Sequence, residues 1–249
     1  MKNRNQAYRF FLLITVLVLS AFSNNKTEDS LWKNKVLKYY IELNEKLAKN
    51  LDKKGVKIVY TTEITSVNGD KVRSQTTVLR NKNTMLLTNE EADVLMDNEN
   101  LFVVVHRDQS VSWMEMEEEK EENPVSRNTM AQMAAFQKLL LGEAQVILNY
   151  AYKKGTENFQ YMELVPIKEI REYYHIEMVK IWYNKDLEAV SEVINVFTNH
   201  NSIKQQKVIY NEFDFDYKNN LLGKPVRSQV LNNADQLTGK YKNYHLIRK

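Results

Sequence analysis

Cysteine is absent from the 249-residue chain, and glycine and proline are scarce, at six and three. Without cysteine there is no disulfide scaffold, no thiol nucleophile and no lipid-modified N-terminal cysteine of the bacterial lipoprotein kind. Stability has to come from packing. So few glycines and prolines leave little room for long irregular loops. The apolar run Phe10–Phe22 (FFLLITVLVLSAF) has 13 residues, fewer than the roughly 20 that a bilayer-spanning helix needs.

That run has the make-up of an export signal. Lys2, Arg4 and Arg9 precede it, and Ala21-Phe22-Ser23 supplies the small-x-small pattern a signal peptidase accepts. Residues 1–23 are therefore expected to be a signal peptide cut before Asn24, the alternative being an anchor that stays attached. Removing three basic residues takes the 35 Lys+Arg to 32, against 32 Asp+Glu. A balanced mature chain lacks the net basic face that displaces counterions from phosphates, which argues against nucleic-acid binding. Export without disulfides fits a Gram-negative periplasm. About 226 residues remain, with no composition shift or flexible linker, so one domain over residues 24–249 is expected.

The rest reads as one helix and then hairpins. From an N-cap at Ser30 to about Asn50, Trp32, Val36, Tyr39, Tyr40, Leu43 and Leu47 recur at three- and four-residue steps, an amphipathic helix that must cover something. Val56–Ile64 alternates, Asn68-Gly69 offers hairpin turn chemistry, and Lys71–Leu79 returns. Thr84–Thr88 reads as a short strand and Asn89–Asn98 as a helical turn or irregular connector. Leu101–His106 and Ser110–Met116 make a further hairpin. The acidic run Glu115–Glu122 lacks the donor pattern of a cation loop and reads as solvated. A second helix is expected over Asn128–Leu141, capped by Gly142. Strands follow at Gln145–Tyr152, Phe159–Val165, Tyr173–Tyr183, Leu187–Thr198 and Lys207–Tyr217, then a short helix around Ser228–Leu237 and a last strand, Tyr241–Ile247. About ten strands joined by short connections imply an antiparallel arrangement.

Catalytic signatures are missing. His106, His175, His200 and His245 have no metal-ligand spacing, and there is no nucleophile elbow or phosphate-binding glycine loop. Asp214 and Asp216 share a strand face and could form an acid–base pair, but an outer-face Asp is more often solvated. Tyr173, Tyr174 and Trp182 could stack on a sugar, though aromatics on paired strands usually pack on each other. No enzyme, no cofactor and no metal is expected.

Three stretches carry a resemblance: Val56–Ile64 followed by Asn68-Gly69-Asp70; Phe102–Val105 before the Asp108 turn and Val111-Ser112-Trp113; and Val179–Tyr183 turning at Asn184. With the order of elements, they make residues 30–249 resemble the lipoprotein-carrier group, the LolA/LolB-like proteins of the bacterial envelope. The resemblance implies a mainly β (α+β) fold, a single curved antiparallel sheet or unclosed β-barrel covered by helices, with a cavity that receives acyl chains. Candidates for its lining are Val56, Ile58, Tyr60, Val103, Val105, Met178 and Trp182 on strands, and Met130, Met133, Phe136 and Leu140 on the second helix; the same residues would equally fill a core. Two functions stay open. One is a periplasmic carrier of a lipid acyl chain or lipoprotein, with transient membrane contact. The other is an adaptor subunit docking an envelope protein partner through a strand edge or the first helix.

Overall fold

The computed structural model describes residues 28–51, 55–116, 138–198 and 202–248. Helix α1 (Glu28–Leu51) forms on the amphipathic stripe, starting two residues before Ser30, which lies inside it rather than capping it. Twelve strands follow among the described residues, one more than the stretches named from the sequence: β1 (Val56–Ser66), β2 (Lys71–Arg80), β3 (Met85–Thr88), β4 (Ala92–Met96), β5 (Asn100–Val105), β6 (Ser110–Glu115), β7 (Gln145–Lys154), β8 (Glu157–Val165), β9 (Ile176–Asn184), β10 (Ala189–Phe197), β11 (Ile203–Asp214) and β12 (His245–Arg248). A π-helical turn occupies Lys138–Gly142, helix α2 is Lys168–Tyr174, and helix α3 is Val226–Val230. The segment 117–137, with most of the expected second helix and of the acidic run, lies outside the described residues, as do residues 1–27.

The strands form one open sheet in the order β12-β6-β5-β4-β3-β2-β1-β11-β10-β9-β8-β7. The fold is thus mainly β with few helices, and the sheet does not close. The expectation of purely antiparallel pairing needs one correction. β12 runs parallel to β6, from His245 opposite Ser110 to Arg248 opposite Trp113, because the chain returns to that edge through helix α3 and not through a hairpin.

A second correction concerns Asn89–Asn98, which contains strand β4. Its cause is a repeated device at eight-residue spacing. Asn81 Oδ1 accepts from the backbone N–H of Asn83 and Thr84, Asn89 Oδ1 from Glu91 and Ala92, and Asp97 Oδ1 from Glu99 and Asn100, at 2.7–3.0 Å. Each side chain imitates a turn and reverses the chain. A third correction falls on Tyr173–Tyr183. Tyr173 and Tyr174 end helix α2, His175 caps it in the left-handed conformation (φ 58°), and β9 starts only at Ile176.

The chain divides into two compact units. Of the described residues, those within 28–45, 63–73 and 138–210 make the first, and those within 46–62, 74–116 and 211–248 the second; α1, β1, β2 and β11 run through both. In the first unit, the α1 residues Val36, Leu37 and Tyr40 and the strand residues Met162, Leu164, Val179, Ile181 and Val193 are almost fully buried. In the second, Leu86, Leu95, Phe102, Val104, Val111 and Trp113 form a core closed by Leu222, Val226, Val230, Leu231 and Tyr241. The C-terminal segment fills that face of the sheet.

Candidate functional site

Two places in the described residues hold chemistry beyond ordinary packing. The first is the layer between α1 and the sheet of the first unit. Helix α1 is laid on this sheet by aromatic and polar contacts. Trp32 and Tyr39 meet the Tyr183 ring at 6.1 and 6.4 Å between centroids. Lys33 Nζ donates to the carbonyls of Gly142 (2.9 Å) and Ala144 (3.1 Å), and Asn149 Nδ2 donates to Asp29 Oδ1 (2.9 Å). Burial lowers the Lys33 ammonium below its usual range, with Glu143 opposing, and burial raises the Tyr39 hydroxyl above its own.

Alternation along β9 puts Val179, Ile181 and Tyr183 on the face toward α1. The same face carries polar side chains that an ordinary core avoids. Asn195 and Gln206 are buried, with Asn195 Nδ2 donating to Gln206 Oε1 at 3.4 Å, and Gln160 Nε2 donates to Asn149 Oδ1. Among the described residues seven buried side-chain oxygens have no hydrogen-bond partner, and five of them, Asn34 Oδ1, Asn44 Oδ1, Gln160 Oε1, Asn195 Oδ1 and Thr198 Oγ1, belong to the first unit. Each is a buried oxygen, for which a missing donor costs about 1–3 kcal/mol. A ligand that brings N–H or O–H groups beside an apolar body matches this set.

The candidate residues from the sequence fall in several places. Val56 and Tyr60 are buried and Ile58 half-buried in the second unit. Phe102 and Val104 are fully buried there, whereas Val103 and Val105 are half-buried on the opposite side of β5. In the first unit Met178 and Trp182 stand on the face of β9 away from α1, half-buried; Trp182 packs on Tyr161 at 4.7 Å. Leu140 is buried in the π-helical turn. Met130, Met133 and Phe136 lie outside the described residues.

No family model and no curated protein matches the chain. Solved structures do. An uncharacterised conserved protein from Thermus thermophilus is 8% identical, with 84% of this chain and 98% of that one covered at a TM-score of 0.39. A LolA superfamily protein from Nitrosomonas europaea is 11% identical, with coverage of 74% and 96% and a TM-score of 0.32. The MucA/MucB complex of Pseudomonas aeruginosa gives 9% identity, coverage of 79% and 62%, and a TM-score of 0.34. One of these structures bears the name of the group that the sequence resembles. At these TM-scores the likeness carries no argument on function.

The second place is a polar network in the other unit that the sequence did not announce. The Asp93 carboxylate, 1% exposed, accepts from Lys240 Nζ (2.7 Å) and the Tyr241 hydroxyl (2.8 Å), with His106 Nε2 at 3.3 Å. His106 Nδ1 is in turn 3.0 Å from the Tyr244 hydroxyl. Burial, then the bond to Asp93, pushes the Tyr241 hydroxyl far above the usual range, so it stays a donor. An acid–imidazole pair suggests proton transfer, but each end is occupied: two donors and the His106 ring surround the carboxylate, and the ring's other nitrogen faces a tyrosine. The network fastens the C-terminal segment to β4 and β5, and Asp97 Oδ2 adds a bond by accepting from the Val226 N–H (2.7 Å).

Other sequence candidates have ordinary roles. Asp214 Oδ1 accepts the Asp216 N–H at 2.9 Å, a turn at the end of β11. No group of three His, Asp or Glu placed to hold a metal occurs among the described residues. An open depression of about 350 Å³ at the β7–β8 and β9–β10 turns is lined by Ala151, Tyr152, Lys153, Asn158, Lys185 and Asp186, and the Asp186 carboxylate is already bonded to Asn158.

Proposed function

We propose that the chain is a non-catalytic binding protein of the bacterial envelope that takes the acyl chain of a lipid or lipidated polypeptide between α1 and the sheet of the first unit. The observation that carries this reading is the presence of partnerless buried acceptors, Asn34 on α1 and Gln160 and Asn195 on the sheet, in the same unit as the buried apolar residues Val36, Leu37, Val179 and Ile181. Apolar chain entering there exchanges one set of aliphatic contacts for another, gaining about 0.8 kcal/mol for each methylene taken from water. Peptide or head-group N–H and O–H groups then supply the donors the three amides lack. A lipidated peptide offers both; a bare fatty acid offers only the first.

Native mass spectrometry of the purified protein with a palmitoylated hexapeptide and with palmitate tests this. The lipopeptide is expected to give a one-to-one complex and palmitate a weaker one, with Asn195→Leu reducing the difference between them. An unchanged protein mass with both probes overturns the proposal.

A further inference from the structure

The depression at the β7–β8 and β9–β10 turns of the first unit carries an unbalanced charge. Its lining includes two lysines, Lys153 and Lys185, and one acid, Asp186. That acid is engaged: its carboxylate accepts the Asn158 N–H at 2.7 Å and Asn158 Nδ2 at 2.9 Å. These bonds, and then the charge of nearby Lys153, hold it below the usual carboxylate range. Glu157 faces Lys154 across the hairpin, Glu188 is exposed, and neither acid lines the depression. Lys185 is half-buried over the Trp32 ring at 4.5 Å, and Lys35 of α1 lies over the same ring at 4.1 Å. The two ammonium groups are thus within about 9 Å of each other, less than the screening length of roughly 10 Å at 0.1 M salt. An indole face attracts such charges but does not neutralise them. Among the described residues Lys35, Lys153 and Lys185 are in no ion pair.

We propose that this depression holds the phosphate of an anionic phospholipid whose acyl chains enter the layer under α1, an inference that rests on the acyl-binding reading of this unit. Trp32 joins the two places. Its ring meets Tyr183, which faces α1, at 6.1 Å, and it carries Lys35 and the Lys185 of the depression. A phosphodiester brings a full negative charge on oxygens that accept short, charge-assisted bonds from ammonium groups. Lysine suits it as a compact charge with three donors. The depression is open, and its volume of about 350 Å³ lies at the low end of the range for small-ligand sites, about 300–1,000 Å³, which fits a head group. The lysines adjoin an apolar layer, so the anion they match is one attached to an apolar body.

Calorimetric titration of the purified protein with dioctanoyl phosphatidylglycerol, dioctanoylglycerol and inorganic phosphate tests this. The phospholipid is expected to bind at least tenfold more tightly than dioctanoylglycerol, and added salt should shrink that ratio. Lys153→Gln with Lys185→Gln should bring the phospholipid down to the affinity of dioctanoylglycerol and leave the latter unchanged. Lys168→Gln with Lys204→Gln, which removes the same charge from exposed positions elsewhere in this unit, should leave the ratio intact. Unchanged urea midpoints show that each variant is folded. Equal binding of the two lipids overturns the phosphate site and leaves the acyl-binding reading standing. So does a preference for the phospholipid that survives loss of Lys153 and Lys185. If neither lipid binds, the acyl-binding reading falls and this inference with it; inorganic phosphate that binds and is lost in the double variant would then mark a site for a free anion only.

Discussion

A buried carboxylate is worth what surrounds it, and Asp93 shows how much that can be. Lys240, Tyr241 and His106 converge on one group that is almost wholly out of water. Asp93→Ala leaves the Tyr241 hydroxyl without an acceptor in the same burial and releases the C-terminal segment that fills the second unit's core. It should cost about 2 kcal/mol, the scale for stranding a buried donor, read as a lower urea midpoint at unchanged slope. By contrast Lys38–Glu42, an exposed pair at 3.5 Å one turn apart on α1, should give less than about 0.5 kcal/mol on Glu42→Ala. Single residues also set the alkaline limit. Burial raises the Tyr60 hydroxyl from 10.0 to about 12, with a bond to Thr76 acting the other way. A group raised in the folded state contributes fully below its unfolded value and loses that contribution as pH climbs to the folded one. Stability should therefore fall between pH 10 and about 12, and Tyr60→Phe should flatten that part of the curve in denaturant titrations run across it. At the acid end the sign reverses. The hydrogen bond from Lys180, then that from Tyr161, holds Glu163 below the usual carboxylate range. Its contribution is present at neutral pH and is lost as pH drops through the lowered value.

At the scale of elements, what repeats along the chain was legible and what depends on tertiary choice was not. The three- and four-residue apolar steps of α1 and the Asn68-Gly69 hairpin between β1 and β2 formed as their sequences suggest, because both signals are local. The Asn81, Asn89 and Asp97 turns were equally local, yet Asn89–Asn98 read as a connector. Five residues between two such turns leave too short an alternation to distinguish a strand from a loop. Which face of a strand meets the core is a different matter. Phe102–Val105 is apolar at all four positions, so alternation alone cannot say whether Phe102 and Val104 or Val103 and Val105 are inside. The neighbours decide: Phe102 stacks on Trp113 at 5.7 Å under the C-terminal segment. The same holds on β9, where Tyr183 is matched to Trp32 and Tyr39 on α1 and Trp182 therefore faces away. Met162, on β8, tests the α1-facing layer. It is fully buried opposite Ile181, so Met162→Ala should lose roughly 2–5 kcal/mol by chemical denaturation. The exposed Tyr173 at the end of α2, changed to Ala, should lose less than about 0.5 kcal/mol.

For the molecule as a whole, destination is written separately from shape. Lys2, Arg4 and Arg9 account for the entire +3 of the chain, and the remaining 32 basic and 32 acidic residues balance. A balanced protein has no long-range attraction to an anionic bilayer, and no described helix is long and apolar enough to cross one. Attachment to the membrane, if residues 1–23 stay on, then rests on the 13-residue run Phe10–Phe22, whose hold is hydrophobic and insensitive to salt. If residues 1–23 are read as an export signal, the choice between release and attachment turns on the bond after Ser23, where only small side chains fit a signal peptidase. Expressed in a Gram-negative host, the chain should be recovered from the soluble periplasmic fraction with an intact mass that starts at Asn24. Ser23→Leu should block the cut without touching the apolar run. The uncut protein should then sediment with membranes and resist washing with molar salt, because what holds it there is burial of the leader and not charge. Recovery of both forms in the soluble fraction would show that the apolar run is no export signal, and would remove the envelope from the account of what this chain does.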